Sequence, residues 1–322
     1  MQFNYPRLLS FPLAIVFTLP AIAAPVYIGL GDSITFGETD LRYIPSFGDR
    51  GYVGAFANIV DARNGSAPRP IVINTAIDGE TAESFMDGTG RTPPVVGRTD
   101  IPLAQQNLNY ASDPTTPQAM KFSTLAAEQI AAGNTIDIIS MTLGFNELAA
   151  LTVLPTGEAL AQLDATLAAY QSNYTTVLTQ VRAVAPDATL YLLNYFNPFP
   201  ADPTVNSADA VFAAGGPRLN AIIQQLSTQF NANYVDTFTA YQGREAELTF
   251  IDEFPAGSVV PPPHPFGPGI APIGNVHPNQ LGYDAIADQM APIPEPASFV
   301  LVGLGALGLG TMNLKRRRKP TV

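Results

Sequence analysis

Four short segments of the chain carry groups whose types could do chemistry together. Ser33 supplies a hydroxyl directly after an apolar run, and Gly79 supplies a backbone amide that no side chain obstructs. Asn146 adds a carboxamide donor, and His277 adds an imidazole near the end of the chain. Acyl transfer requires a nucleophile, oxyanion donors and a general base. Together, the four segments therefore predict covalent catalysis on an acyl group.

The elements that must position these groups follow from the hydrophobic pattern. Short apolar runs predict buried strands at 26–31, 71–74, 136–143, 189–193 and, more weakly, 233–235. Amphipathic stretches between and after them predict helices at 52–63, 123–132, 157–185, 206–230 and 280–290. This alternation predicts an α/β domain with a mainly parallel sheet that helices cover on both faces. Ligands bind at the carboxyl ends of such strands, where Ser33, Gly79 and Asn146 are expected.

The last helix follows closely on His277. Asn279 is a good helix N-cap, and Leu281, Ile286 and Met290 are expected on the buried side of that helix. Two stretches, 87–118 and 254–274, lack periodicity and are rich in Gly, Pro or polar residues. Long loops of this kind are either covers over a functional site or surface excursions, and both readings stay open.

The four segments, in this order, resemble the blocks of the SGNH (GDSL) hydrolase family over nearly all of residues 24–290. The resemblance implies a flavodoxin-like three-layer α/β/α sandwich without a metal or organic cofactor. It implies that Ser33 is the nucleophile and His277 the general base. It also implies an oxyanion hole formed by the Ser33 N–H, the Gly79 N–H and the Asn146 side chain. The expected substrate is a carboxylic ester, either a small molecule or part of a polysaccharide.

Two positions depart from the family pattern. Glu147 follows Asn146 where the family usually has Asp, and Gly274 stands where the family has the acid that orients the histidine. Three outcomes are open for His277. A backbone carbonyl could hold the imidazole and leave a Ser-His dyad, which we favour. Asp252 or Glu253 could replace the missing acid, or the protein could have little activity.

Both ends of the chain read as targeting segments rather than as parts of the fold. Residues 1–23 combine Arg7, an apolar run and an Ala-Ile-Ala cleavage site, which predicts a signal peptide. Residues 291–322 contain Pro-Glu-Pro, an apolar stretch at 297–314 that predicts a transmembrane helix, and a basic cluster at 315–319. This order resembles the PEP-CTERM sorting signal of Gram-negative, exopolysaccharide-producing bacteria. It implies processing by an exosortase after a transient inner-membrane anchor, and display at the cell surface, outer membrane or matrix.

Composition excludes several other classes of protein. Without Arg7, Glu295 and the basic cluster, 10 basic residues remain against 26 acidic ones, a net charge of −16 that disfavours nucleic-acid binding. The chain has no cysteine and two histidines, His264 and His277, which leaves no thiolate metal site and little for a multi-histidine centre. His264 lies between two prolines and is expected to be a bystander.

The sequence thus predicts an exported serine esterase or lipase of the GDSL type. Two alternatives stay open: an O-deacetylase that acts on matrix exopolysaccharide, and a surface or matrix binding protein on a decayed hydrolase fold. The sorting signal makes the first plausible, and Gly274 favours the second.

Overall fold

The computed structural model describes residues 23–37, 39–40, 49–64, 68–89, 116–198, 207–250, 259–260, 269–270 and 276–291. Five of its strands form one parallel sheet in the order β2-β1-β3-β4-β5. Their bounds are β1 (Pro25–Gly31), β2 (Ile71–Asn74), β3 (Thr135–Thr142), β4 (Thr189–Leu193) and β5 (Asn233–Val235). The strand predictions are confirmed to within one residue at each end. The order 2-1-3-4-5 is the flavodoxin-like doubly wound arrangement that the resemblance implied.

The five predicted helices are present, together with shorter ones that the periodicity did not indicate. The predicted helices are α2 (Gly51–Asn64), α4 (Gln118–Ala131), α6 (Thr156–Val184), α7 (Ser207–Gln229) and α10 (Gln280–Met290). The additional ones are α1 (Ser33–Phe36), α3 (Ala82–Asp87), α5 (Phe145–Leu151), α8 (Thr237–Tyr241) and α9 (Glu245–Leu248). Within the predicted loop 254–274, β6 (Val259–Val260) and β7 (Gly269–Ile270) pair in an antiparallel manner.

The helices pack in two groups around the sheet. One group contains α1, α2, α8, α9 and α10, and the other contains α3 to α7. Strands β1 and β4 are almost completely buried, as strands covered on both faces must be. Between the sheet and α2, the ring of Phe56 packs edge-on against Tyr27 and Tyr191, at 5.8 and 5.5 Å between ring centroids. Such aromatic contacts add to the stabilisation that comes from area burial alone.

Strands β1 and β3 approach most closely where they end. Gly31 pairs with Thr142, and a Cβ atom on Gly31 would lie 1.9 Å from the Thr142 carbonyl oxygen. The backbone of Gly31 also has a φ of +118°, which a residue with a side chain rarely adopts. Only glycine therefore allows β1 to end here, and the Asp32 N–H donates to the Thr142 carbonyl at 3.0 Å. The chain leaves both strands at the same level, at the switch point of the sheet.

The expectations for the last helix are confirmed except for one residue. Asn279 caps α10 by accepting a hydrogen bond from the Gly282 N–H at 3.1 Å, and Ile286 and Met290 are buried. Leu281 was expected on the same side, but it is 56 % exposed. The buried stripe of α10 runs through Tyr283, Ile286, Ala287 and Met290, with spacings of three and four residues. Leu281 precedes Tyr283 by two residues, so its side chain lies on the opposite face.

The predicted targeting segments lie outside the described residues, apart from Ala23 and Ala291. Asp252, Glu253, His264 and Gly274 also lie outside them. Within the described ranges, no helix combines the length and the apolar character needed to cross a membrane.

Candidate active site

Ser33 is presented by the turn from β1 into the short helix α1. Asp32 is the N-cap of this helix, and its Oδ1 accepts a hydrogen bond from the Ile34 N–H at 3.0 Å. The cap stabilises the first turn of α1 at the end of β1, because it satisfies a backbone N–H that has no partner within the helix. Ser33 is 7 % exposed, so its hydroxyl lies at the floor of the site rather than on the open surface.

His277 lies beside Ser33, with its Nε2 atom 2.8 Å from the Ser33 Oγ atom. The two residues are 244 positions apart in the sequence. A short antiparallel contact holds the histidine segment, since the Phe250 N–H donates to the His277 carbonyl at 3.1 Å. On the other side, the Thr39 hydroxyl donates to the Pro278 carbonyl at 2.5 Å. The imidazole is therefore within hydrogen-bond reach of the hydroxyl before any substrate is present.

The three predicted oxyanion donors follow three neighbouring strands. Gly79 follows β2, Ser33 follows β1 and Asn146 is the second residue of α5 after β3. Gly79 has a φ of +72°, a conformation that favours glycine. Among the described residues, neither the Ser33 N–H nor the Gly79 N–H donates a hydrogen bond. The Asn146 Nδ2 donates to the Glu80 carbonyl at 2.9 Å, which brings this side chain to the loop that carries Gly79.

The Asp32 carboxylate connects Ser33 to two further strands. Its Oδ1 also accepts from the Thr142 hydroxyl at 2.7 Å, and its Oδ2 accepts from the Tyr195 hydroxyl after β4. Asp32 is 1 % exposed, and burial raises its pKa from the ordinary value of 3.8 to about 7, although the hydrogen bonds oppose this rise. The Thr142 hydroxyl in turn contacts Thr35 at 2.7 Å. Asp32 is thus fixed by groups from β3, from the segment after β4 and from α1.

Sequence reasoning missed a second buried group that holds the end of β1. The Gln118 side chain accepts from the Gly31 N–H at 2.6 Å and donates to the Gly31 carbonyl at 2.9 Å. The same amide nitrogen donates to Glu80 Oε2 at 2.8 Å, and the Ser84 hydroxyl donates to Glu80 Oε1 at 2.5 Å. Gln118 is the last residue of the predicted loop 87–118 and Glu80 directly follows Gly79, and no local pattern links the two. Their partnership depends on contacts 38 residues apart.

Glu147, the residue that departs from the family pattern, joins the two oxyanion loops. Its Oε1 accepts from the Ala82 N–H at 2.7 Å, beside the Asn146 contact with Glu80. Its Oε2 is buried and has no hydrogen-bond partner among the described residues. The pKa of Glu147 is raised from 4.5 to about 7, mainly by burial and to a lesser extent by the carboxylates of Asp32 and Glu80, although backbone hydrogen bonds oppose this rise. The structure therefore gives Glu147 a supporting contact between the two loops.

No set of three His, Cys, Asp or Glu side chains within the described residues is arranged to hold a metal ion. The arrangement instead offers a hydroxyl 2.8 Å from an imidazole, with two backbone N–H groups and one carboxamide on the segments that follow neighbouring strands. These are the groups from which a serine hydrolase is built.

Comparisons with known proteins place this geometry in context. The GDSL-like lipase/acylhydrolase family matches residues 30–285, and the PEP-CTERM protein-sorting motif matches residues 292–319. A search of curated proteins found no significant match.

Several solved structures are similar in fold. A lipase from a goat rumen metagenome is 17 % identical, with a TM-score of 0.54, over 85 % of this chain and 98 % of its own. A phospholipase A1 from Streptomyces albidoflavus is 17 % identical, with a TM-score of 0.49, over 85 % of this chain and 100 % of its own. An acetylxylan esterase from Geobacillus stearothermophilus is 15 % identical, with a TM-score of 0.46, over 84 % of this chain and 94 % of its own.

Proposed function

Because the chain belongs to the GDSL-like lipase/acylhydrolase family, we propose that it is an exported serine esterase that cleaves carboxylic esters. The observation that carries the proposal is the 2.8 Å contact between Ser33 Oγ and His277 Nε2. This is the distance at which an imidazole takes the proton of a nucleophilic hydroxyl.

The reaction proceeds in two halves. Ser33 Oγ attacks the ester carbonyl carbon while its proton passes to His277 Nε2, and the carbonyl oxygen becomes an oxyanion. The intermediate collapses, the C–O bond to the alcohol breaks, and the imidazolium delivers its proton to the leaving alcohol oxygen. Water then attacks the acyl-enzyme with His277 again as base, which releases the carboxylic acid and restores Ser33.

The oxyanion is stabilised by the N–H groups of Ser33 and Gly79 and by the Asn146 carboxamide. The two backbone donors make no other hydrogen bond among the described residues, so they are available to a developing negative charge. The Asn146 Nδ2 carries two hydrogens: one is donated to the Glu80 carbonyl, which holds the side chain in place, and the other serves the oxyanion.

Gly274 has no side chain that could take the place of the family's orienting carboxylate. We propose a Ser-His dyad in which a backbone carbonyl accepts the Nδ1 proton of His277. A carbonyl still selects the tautomer that leaves Nε2 free to accept a proton, and only the stabilisation of the imidazolium by a charge is lost.

We also propose that residues 1–23 are removed as a signal peptide and that residues 24–290 are the hydrolase domain. Residues 291–322 would then serve as a transient inner-membrane anchor that an exosortase recognises and removes. The matched sorting motif supports this processing. The intact mass of the protein from the cell surface should correspond to a chain that starts near Ala24 and lacks the basic cluster at 315–319. A mass that includes Met1 or Arg318 would contradict this processing.

The sorting motif also favours a second candidate function, an O-deacetylase of matrix exopolysaccharide. The two candidates share the mechanism and differ in the alcohol that leaves. Release of acetate from an acetylated exopolysaccharide, measured against fatty acid released from acyl lipids, separates a deacetylase from a lipase.

The proposed mechanism is tested with a fluorophosphonate probe and a panel of aryl esters. Wild-type protein should be labelled at Ser33 and should hydrolyse short-chain esters, and Ser33→Ala should lose both properties. Ser172→Ala, an exposed serine on α6, is the matched control and should retain both. A wild-type protein that is neither labelled nor active would instead favour a binding protein on a decayed hydrolase fold.

A further inference from the structure

Two buried side chains outside the proposed catalytic set, those of Gln118 and Glu80, connect the end of β1 to the turn that carries Gly79. Neither side chain is exposed to solvent. The Gln118 Oε1 accepts from the Gly31 N–H, and its Nε2 donates to the Gly31 carbonyl. The same Nε2 donates to Glu80 Oε2 at 2.8 Å. We call these two side chains the Gln118/Glu80 clamp.

The turn at 77–80 is tied to the end of β1 at both of its ends. At its first residue, the Ile77 N–H donates to the Gly31 carbonyl at 3.0 Å, so this carbonyl accepts from the turn and from Gln118. At its last residue, the Glu80 carboxylate accepts from the same carboxamide. The hydrogen bond within the turn, from the Glu80 N–H to the Ile77 carbonyl, is 3.3 Å long, whereas such bonds are usually about 2.9–3.0 Å. The contacts with β1 and with the clamp therefore hold the turn more firmly than its own hydrogen bond does.

The position of this turn decides whether the Gly79 N–H can serve as an oxyanion donor. Such a donor stabilises the transition state only when its N–H points at the place where the negative charge develops. That place is set by Ser33, which follows Gly31 by two residues. A displacement of a catalytic group by about 1 Å can lower the rate by about 10²-fold. A contact that holds the turn against the end of β1 therefore acts on the rate of the reaction as well as on the stability of the fold.

We propose that the Gln118/Glu80 clamp positions the oxyanion hole, because it fixes the Gly79 N–H relative to the Ser33 Oγ. The inference rests on the proposed function, since it gives two further residues a role in the same reaction. Gln118 and Glu80 are positioning residues, which act through the two loops and contact no substrate atom. If their role were purely structural, their replacement would lower the free energy of unfolding, and each folded molecule would keep its kcat.

Glu80→Leu and Glu80→Gln separate the hydrogen bond of the clamp from the charge of Glu80. Both variants remove the negative charge, but only the amide in Glu80→Gln keeps an oxygen that accepts from Gln118. The contacts of Gln118 with Gly31 remain in both. Glu80→Leu should lower kcat by about 10-fold to 10²-fold and change KM by less than about threefold, because the oxyanion forms only in the transition state. Glu80→Gln should keep both constants within about threefold of the wild-type values.

Gln118→Glu tests the same contact from its other side. Its Oε1 still accepts from the Gly31 N–H, but an oxygen replaces the donor opposite Glu80, so kcat should again fall by about tenfold or more. When Gln118→Glu is combined with Glu80→Gln, an amide nitrogen and a carboxylate face each other again in reversed positions. The kcat of this double variant should exceed that of Gln118→Glu by about threefold or more. Gln129→Glu is the matched control on α4, because the Gln129 Oε1 also accepts from an N–H, that of Asn134, and it should keep the wild-type kcat.

All variants are measured as the full chain on a short-chain aryl ester. Each kcat is divided by the number of Ser33 sites that a fluorophosphonate labels at completion, which removes the contribution of misfolded protein. Circular dichroism identifies a variant that does not fold, and the variants at the other position of the clamp then decide the outcome.

A kcat per labelled Ser33 within about threefold of wild type in both Glu80→Leu and Gln118→Glu would overturn the positioning role alone. Equal losses in Glu80→Leu and Glu80→Gln would also overturn it, because they would show that the charge matters and the hydrogen bond does not. The absence of labelling and of hydrolysis in the wild-type protein would overturn the proposed function, and the role of the clamp with it.

Discussion

Ser33 follows β1, an interior strand of the sheet, whereas His277 lies on a short irregular segment before the last helix. Around Ser33, side chains from neighbouring elements bind the backbone on both sides. Gln118 holds Gly31 through two hydrogen bonds, and Asp32 accepts from Ile34, Thr142 and Tyr195. The segment that carries His277 is also bound through its backbone, because the Phe250 N–H donates to the His277 carbonyl and the Thr39 hydroxyl donates to the Pro278 carbonyl.

The difference shows which part of the site is held in place by specific contacts of buried side chains. Buried polar side chains hold the loop of the proposed nucleophile and the oxyanion loops. Each of these side chains must keep its hydrogen-bond partner, because an unpaired buried polar group lowers the stability of the fold. The proposed base lies on an irregular segment before α10, and in the proposed dyad a backbone carbonyl replaces the orienting acid there. The following experiments test this contrast, from the largest expected effect to the smallest.

Removal of the base should have the largest effect. His277→Ala should lower kcat by about 10⁴-fold or more, because the Ser33 hydroxyl loses its proton acceptor. His264→Ala is the matched control, and it should leave kcat nearly unchanged. Equal losses in the two variants would contradict the assignment of the base.

Removal of the side-chain oxyanion donor should have an intermediate effect. Asn146→Ala should lower kcat by about 10²–10³-fold, because one hydrogen bond to the oxyanion is lost in the transition state. Substrate KM should change little, since the ground-state carbonyl carries little charge. Asn173→Ala on α6 serves as the control. A loss of less than threefold in Asn146→Ala would remove this side chain from the mechanism.

Asp252 and Glu253 are the acids that most closely precede Gly274, where the family has its orienting acid. If the Ser-His dyad operates, neither of them should contribute much to kcat. Asp252→Asn and Glu253→Gln should each reduce kcat by less than tenfold, because neither carboxylate is then needed to hold the imidazole. Steady-state kinetics on folded variants measures this directly. A loss of a thousandfold or more in either variant would show that the acid had been relocated.

Replacement of Glu147, the buried acid that joins the two oxyanion loops, should change the stability of the protein and not the role of His277 as the base. Burial raises the pKa of Glu147 to about 7, so the folded protein binds its proton more tightly than the unfolded chain does. The free energy of unfolding should therefore fall as pH rises from about 4.5 to 7, by at most about 1.4 kcal/mol per pH unit from this group. Glu147→Gln keeps the acceptor for the Ala82 N–H and removes the charge, so its stability should depend less on pH.

Chemical denaturation at several pH values between 4 and 8 measures that difference. Glu158→Gln, an exposed acid at the start of α6, should keep the wild-type dependence. Asp32 is shifted in the same direction and remains in both proteins, so the variant should retain part of the slope. Identical slopes in wild-type protein and Glu147→Gln would mean that Glu147 is ionised in the folded state at its ordinary pKa.

Local sequence determined the framework of this protein. Each strand is an apolar run with a clear end, and the long helices carry a period that spans several turns, so both can be read from neighbouring residues. The short helices α1 and α5 have four and seven residues, too few for a period to emerge, although they present Ser33 and Asn146. The motif residues were identified because their types, their order and the strand that precedes them are all visible along the chain.

Tertiary structure decided which polar groups meet. Leu281 is not an example of this, because the nine residues that separate it from Met290 already place the two side chains on opposite faces of a helix. The sequence indicates no role for Gln118 or Tyr195, because a single polar residue forms no pattern along the chain. Folding brings Gln118 to Gly31 and Tyr195 to Asp32. The approach of His277 to Ser33 across 244 positions is of the same kind. Periodicity reports contacts between near neighbours, whereas the pairing of buried polar groups depends on the packing of whole elements, so only the folded chain reveals it.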